Sequence, residues 1–180
     1  MSDFLLLHTD RDLFGGLRGK SFQLLMQLCF NYADSFSLSK TSMPTYPSAV
    51  EDMLSPYLKT SIQSTTWFAY HGVDPLIEMI YAAVPETLDI LTLCYQDIFL
   101  KKKGNVPKKK HEQMGQKFVY PSVLEDICFF SGRQMILGTL SHEYICMARC
   151  VSQEFEEKLL SLAHWDKTDK DVYHLNFTPF

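Results

Sequence analysis

The stretch 121–165 constrains the fold more than any other part of this 180-residue chain. Two apolar runs, 127–130 and 135–140, flank the pair Ser131-Gly132, and this arrangement predicts a β-hairpin. A loosely alternating segment over 141–150 predicts a further strand. Ser152 then precedes an amphipathic run with acidic residues in its first turn, which indicates an N-capped helix. The order of these elements predicts an antiparallel sheet with at least one helix packed on it.

Further helices are predicted in the first half of the chain. The start signals are polar N-caps, or prolines at the first helical position, and they occur at Ser21, Ser48, Asp74 and Pro85. The strongest is at Ser48, because Glu51 stands three residues later and completes the spacing of a capping box. The β-branched and aromatic segment 65–71 predicts a buried strand among these helices. Residues 38–47 are polar, contain two prolines and predict a loop.

Composition supports a globular protein of class α+β. Hydrophobic residues make up 46% of the chain and aromatic residues 13%, which is enough for a sizeable core. We therefore expect one domain over 1–180, with several helices packed on a small, mostly antiparallel sheet. The segment 101–117 is basic and contains Gly104, Pro107 and Gly115, so we expect a mobile loop there.

The cysteines and the N-terminus point to a cytoplasmic protein. The chain has five cysteines, an odd number at irregular spacing with no CxxC pair, which favours free thiols in a reducing compartment. The first ten residues lack the basic and apolar regions of a signal peptide. No segment approaches the roughly 18 apolar residues that a membrane span requires. We expect no membrane association.

The charge of the chain is unevenly distributed. The net charge is −4, but residues 101–112 carry six lysines and one glutamate. The rest of the chain has 11 basic against 20 acidic residues, a net charge of −9. An acidic body repels nucleic acid and favours a basic partner, although acidity also serves solubility alone. The basic segment 101–110 remains an alternative nucleic-acid arm, but it has no aromatic residue to stack on a base.

A cofactor or metal is not predicted. Gly19, Lys20 and Ser21 resemble the end of a phosphate-binding loop, but Phe14 stands where that loop requires its first glycine. His142, Cys146 and Cys150 are spaced by four, which on a strand separates the outer two by roughly 26 Å. That spacing argues against a shared zinc ion, which needs converging ligands.

A small enzyme that uses a Cys/His pair or a metal in the His142/Cys146 region remains the second interpretation. Cys146 or Cys128 could act as a nucleophile beside His142, with Glu143 orienting the imidazole. Neither cysteine lies at a glycine-rich turn or a clear helix N-terminus that would lower its pKa. Ser141, His142 and Glu143 have the residue types of a triad, but neighbouring strand residues point to opposite faces.

The segment 121–160 contains LEDICFF, a glycine turn, LGTLSHE and a glutamate-rich helix, in that order. In these elements it resembles the C-terminal part of small bacterial immunity proteins, which neutralise the toxins of contact-dependent growth inhibition and related polymorphic toxin systems. The resemblance implies a non-catalytic cytoplasmic inhibitor that binds and occludes one toxin, for example a nuclease. The acidic body agrees with this interpretation, because a negative surface steers a basic partner.

The predicted toxin-binding surface combines acidic side chains with two aromatic anchors. The acidic pair Glu125 and Asp126 is expected just inside a helix start that Ser122 caps. Tyr144 and Trp165 are expected to be exposed and to anchor the partner. The full set of expected contact residues is Glu125, Asp126, Glu143, Tyr144, Glu154, Glu156, Glu157 and Trp165.

Overall fold

A computed structural model describes residues 3–8, 17–104, 112–114 and 117–176 of the chain. Within them, eight strands form one sheet in the order β10-β1-β9-β8-β7-β2-β4-β3, and every neighbouring pair is antiparallel. The strands are β1 (Phe4–Leu7), β2 (Ser35–Thr41), β3 (Leu58–Trp67), β4 (Tyr70–Ala82), β7 (Glu125–Ser131), β8 (Gln134–Leu140), β9 (Ile145–Arg149) and β10 (Trp165–Thr168). Two short strands, β5 (Glu112–Met114) and β6 (Lys117–Val119), form a separate hairpin.

Four α-helices in the described part of the chain are α1 (Lys20–Tyr32), α2 (Ala49–Leu54), α3 (Pro85–Cys94) and α4 (Gln153–Leu162). Their apolar side chains share one core with alternate residues of the sheet, so the helices cover one of its faces. Phe36 and Phe129, on neighbouring strands, both pack against Phe30 of α1 at 5.7 Å between ring centroids. This main core contains most of the fully buried apolar residues.

The opposite face of the sheet carries a second, smaller core. Phe130, Met135 and Met147 point to this face, where Trp67 at the end of β3 and Phe68 in the β3–β4 turn cover them. Leu175, from the segment after β10, is fully buried in the same cluster. No helix that the structure describes is long and apolar enough to cross a membrane.

The class α+β and the antiparallel pairing are confirmed, together with several local predictions. The hairpin of β7 and β8 turns at Gly132, whose φ of 58° suits glycine. Ser48 caps α2 and Ser152 caps α4, each accepting a hydrogen bond from the backbone N–H three residues later. The helix predicted at Ser21 is also present, but it begins at Lys20 and Gly19 is its N-cap.

The sheet is larger and the helical content smaller than the sequence predicted. The prediction of a helix after Asp74 is wrong, because this segment belongs to the 13-residue strand β4. Met79 and Tyr81 face the main core while Ile80 faces the second core, so apolar residues follow one another and imitate helical spacing. The loop expected over 38–47 begins instead within β2, whose alternation of serines with Phe36 and Leu38 matches a strand.

Three further predictions need correction. The helical turn expected at Ser122 and Glu125 is absent, because Ser122 donates a hydrogen bond to the distant Glu51 and Glu125 begins β7. The strand predicted over 141–150 starts only at Ile145, after a turn of 3-10 helix over Ser141–Glu143. The alternating pattern over 172–177 predicts a final edge strand, but its described part, 172–176, is a series of turns. Most of the predicted mobile loop, 105–111 and 115–116, lies outside the described residues.

Candidate functional site

The 3-10 turn Ser141–Glu143, between β8 and β9, positions the exposed residues of the site. Ser141 points inward, while His142, Glu143 and Tyr144 are exposed. Tyr144 ends the turn with φ 56° and ψ 36°, in the left-handed region that side chains other than glycine rarely adopt. The turn therefore presents three consecutive polar or aromatic side chains to solvent.

A bulge in β7 fastens this turn to the sheet. Asp126 lies in the irregular register between β2 and β7, with φ 55°. Its carboxylate accepts a hydrogen bond from the Ser141 backbone N–H at 2.5 Å. In return, the Asp126 backbone N–H donates to Ser141 Oγ at 3.2 Å. This reciprocal pair holds the turn beside Glu125, the preceding residue of β7.

The turn and the bulge border a recess of about 330 Å³, which we call the Tyr144 recess. Three separate parts of the chain line it: Arg18 before α1, the segment after α3, and the β7–β9 region. Its lining residues are Arg18, Asp97, Phe99, Lys101, Glu125, Ser141, His142 and Tyr144. The recess is therefore of mixed charge, with two basic and two acidic side chains.

Two aromatic rings form the apolar part of the Tyr144 recess. Phe99 and Tyr144 meet edge to face, with ring centroids 5.4 Å apart and an interplanar angle of 84°. Tyr144 is 47% exposed, and the edge-to-face contact fixes one side of its ring. Leu100 beside them has φ 57°, and its N–H donates to the Asp97 carbonyl at 3.0 Å. The aromatic pair is thus supported by a tight turn on one side and the 3-10 turn on the other.

Backbone strain is concentrated around the Tyr144 recess. Five residues other than glycine have positive φ in the described part of the chain, and Leu100, Asp126 and Tyr144 are three of them. Such conformations cost of order 1–3 kcal/mol each, and they cluster at binding and catalytic sites. The strain here sets the direction in which the aromatic and acidic side chains point.

The two carboxyl groups at the start of β7 are electrostatically perturbed. Burial raises the pKa of Glu125, the charge of Asp126 raises it further, and His142 opposes both effects. Burial likewise raises the pKa of Asp126, while its hydrogen bonds with Ser141 and the proximity of His142 lower it. Perturbed groups in a recess are characteristic of functional sites, although ionic networks of structural importance show them too.

The structure brings together only part of the predicted contact set. Glu125 and Tyr144 line the recess and Asp126 lies directly behind it. Glu143 stands at its margin, with its carboxylate 3.8 Å from His142 Nε2. Glu154 and Glu157 are exposed on α4 and are not among the lining residues.

Three residues of the predicted surface are buried and not available to a partner: Asp126, whose carboxylate already accepts from the Ser141 N–H, Glu156 and Trp165. Trp165 is only 4% exposed and belongs to the main core, so its expected role as an exposed anchor is wrong. Glu156 is also buried, and it accepts a hydrogen bond from Lys167 Nζ at 2.9 Å. It lies on the inner side of α4 because the N-cap at Ser152 sets the helical phase, which also buries Phe155 and Leu159.

The cysteines have an environment unsuited to nucleophilic or metal chemistry. All five are buried and free. Burial raises the pKa of Cys128 and of Cys146, which stabilises the unreactive thiol form. They also belong to different cores on the two faces of the sheet, whereas the His142 side chain is 55% exposed. Across the described ranges, no group of three or more His, Cys, Asp or Glu side chains could hold a metal ion.

Four residues of the recess were missed by sequence reasoning. Arg18, Asp97, Phe99 and Lys101 belong to connections between elements, and nothing in their local pattern signals a site. Arg18 and Asp97 come together through an isolated antiparallel bridge between segments about 80 residues apart. The sequence places Lys101 in a basic arm, yet its backbone N–H donates to Asp97 Oδ1 at 3.2 Å, within the recess.

Comparisons of the chain with known protein families, curated proteins and solved structures found no match.

Proposed function

We propose that this protein is an immunity protein that binds a cognate bacterial toxin domain at the Tyr144 recess and occludes it. The observation that carries this proposal is the placement of Tyr144: a half-exposed aromatic ring, packed edge to face on Phe99 and held on a fastened turn beside Glu125. Tyrosine is one of the residue types enriched among the few side chains that dominate protein–protein binding energy.

The acidic side chains near Tyr144 and the net charge of the chain favour a partner with basic side chains. Glu125 lies in the recess and Glu143 at its margin, while the chain outside 101–112 has a net charge of −9. A lysine or arginine of the toxin placed against the Tyr144 ring would gain both a cation–π contact and a carboxylate partner. Arg18 and Lys101 then set specificity, because they repel a wrongly placed basic residue.

The test is protection of growth. The polypeptide encoded by the adjacent reading frame is expressed in a sensitive host, with or without this chain. The wild-type chain restores growth, Tyr144→Ala abolishes or weakens protection, and Tyr120→Ala does not. Tyr120 is the matched control, since it is 61% exposed and lies outside the recess. A neighbouring product that is harmless, or equal protection by Tyr144→Ala, contradicts the proposal.

An enzyme remains a second candidate, now with different chemistry. The cysteine version loses support because the thiols are buried. What favours an enzyme is the meeting of the perturbed Glu125 with His142 in a recess bordered by strained backbone. In that case Glu125 acts as a general acid or base, and Glu125→Gln removes turnover without weakening ligand binding. In an inhibitor, the same substitution weakens partner binding and there is no turnover to lose.

A further inference from the structure

The last strand of the sheet, β3 (Leu58–Trp67), offers a free edge for pairing. Strand β4 flanks it on one side, and no other described strand pairs with it. Most of its residues are exposed, including Ser61 and Gln63. An edge strand presents backbone N–H and C=O groups that a further strand can satisfy.

The devices that protect natural edge strands occur only towards the ends of β3. Lys59 supplies the one charge of the whole strand, and residues 60–66 contain no charged residue and no proline. Register shifts occur between Leu58 and Thr60 and between Ser64 and Thr66. The five residues between them, 60–64, pair with β4 in regular register. They form a regular, uncharged segment on which another strand can be built.

The regular segment is complementary to itself. In an antiparallel pair related by a two-fold axis normal to the sheet, directly opposed residues must point to the same face. A two-fold axis that passes between the strands beside Ile62, the centre of the regular segment, satisfies this condition. It places Ile62 opposite Ile62 of the second copy. Ser61 then opposes Gln63, and Thr60 opposes Ser64. No like charges meet within the regular segment, and the axis carries a β-branched pair of the kind that stabilises sheets.

We propose that β3 is a self-association surface, through which two copies of this chain form a reversible antiparallel dimer with one continuous sheet. Pairing along five regular residues buries little area, so the dimer is weak and depends on concentration. The proposal does not depend on toxin binding, because none of the β3 residues lines the Tyr144 recess.

The test places charges at the two opposed positions and measures the dimer dissociation constant by sedimentation equilibrium. In Ser61→Glu/Gln63→Glu, each new carboxylate faces another across the interface. In Ser61→Lys/Gln63→Glu, each lysine faces a glutamate. Both side chains are exposed, so neither variant disturbs the core. Gln23→Glu/Ser42→Glu adds the same two negative charges at exposed positions outside β3 and controls for general repulsion.

We expect the lysine–glutamate variant to dimerise at least about tenfold more tightly than the double-glutamate variant, because two symmetry-related pairs change sign. The difference should shrink in 0.5 M salt, and the control should match the wild type. A wild-type chain that stays monomeric up to about 1 mM overturns the proposal. So does equal dimerisation of the two β3 variants. In either case the edge is left for an extended segment of another protein.

Discussion

The fully buried carboxyl of Glu78 makes the stability of this protein depend on pH in a way that can be calculated. Glu78 lies on β4, on the face of the sheet that carries the second core, and is fully buried. Ser39 Oγ donates a hydrogen bond to it at 2.6 Å. Burial raises the pKa of Glu78 from 4.5 to about 8; the hydrogen bond from Ser39 opposes this rise, and the charge of Asp126 adds to it. At neutral pH the folded protein therefore keeps a proton that the unfolded chain has lost.

The magnitude follows from the difference between the folded and unfolded pKa values. Because the folded pKa is the higher one, the stabilising contribution is complete below pH 4.5 and is lost as the pH rises toward 8. A difference of about 3.5 units, at about 1.4 kcal/mol per unit, is about 5 kcal/mol in total. Between pH 5 and pH 8 the loss amounts to about 3 to 4 kcal/mol.

Glu78→Gln removes the ionisation and keeps an acceptor for Ser39. The free energy of unfolding is measured by urea titration of the wild type and the variant from pH 5 to pH 9. Glu125 and Asp126 titrate in both proteins, so the difference between the curves reports the ionisation of Glu78 together with its coupling to Asp126. We expect the free energy of unfolding of the variant, relative to that of the wild type, to rise by about 1.4 kcal/mol per pH unit and to level off above pH 8.

A control and a refuting result complete this experiment. Glu86→Gln removes an exposed carboxylate from the first turn of α3 and measures the general effect of one fewer charge. A difference between the wild type and Glu78→Gln that stays constant with pH would mean that the folded state does not hold the extra proton. The argument from burial would then be wrong.

The remaining predictions concern packing, a buried ion pair and the thiols. Gly138→Ala should lower the free energy of unfolding, measured in urea, by about 1 to 3 kcal/mol, because a Cβ there would lie 2.7 Å from the Phe68 ring. Adding Phe68→Leu to this variant should recover part of the loss. Lys40→Met should lower the free energy of unfolding by about 3 kcal/mol in the same assay, because the Glu51 carboxylate, 2.6 Å from Lys40 Nζ, would remain as an unpaired buried charge. The double variant Lys40→Met/Glu51→Gln should lose less stability, because it removes that charge. The five buried thiols should react with iodoacetamide only after unfolding; one thiol that reacts quickly in the native protein would revive the cysteine enzyme.

Local signals in the sequence predicted those elements whose partners are close along the chain. The caps at Ser48 and Ser152 each bond a backbone N–H three residues later, so a four-residue pattern contains the whole interaction. The β7–β8 hairpin is likewise defined by a short turn between two apolar runs. These predictions were correct because the physical cause and the sequence pattern occupy the same few residues.

Predictions failed where a distant contact outweighed the local pattern. Ser122 stands at capping-box spacing from Glu125, but its hydroxyl bonds Glu51, 71 residues away. Asp74 and Pro75 have the form of a helix start, yet pairing with β2 and β3 makes the segment a strand. The Tyr144 recess is the extreme case, since its lining comes from three separate parts of the chain. Spacing rules describe residues that are close along the chain, and they contain no information about contacts between such distant segments.

The role of Tyr144 as the anchor of a protein interface is tested most directly by one affinity measurement. The purified product of the adjacent reading frame is titrated by calorimetry with the wild-type chain, Tyr144→Ala and Tyr120→Ala. We predict that Tyr144→Ala weakens binding by about 2 kcal/mol or more, roughly 30-fold, while Tyr120→Ala binds like the wild type. If Tyr144→Ala binds as tightly as the wild type, the Tyr144 recess is not the interface.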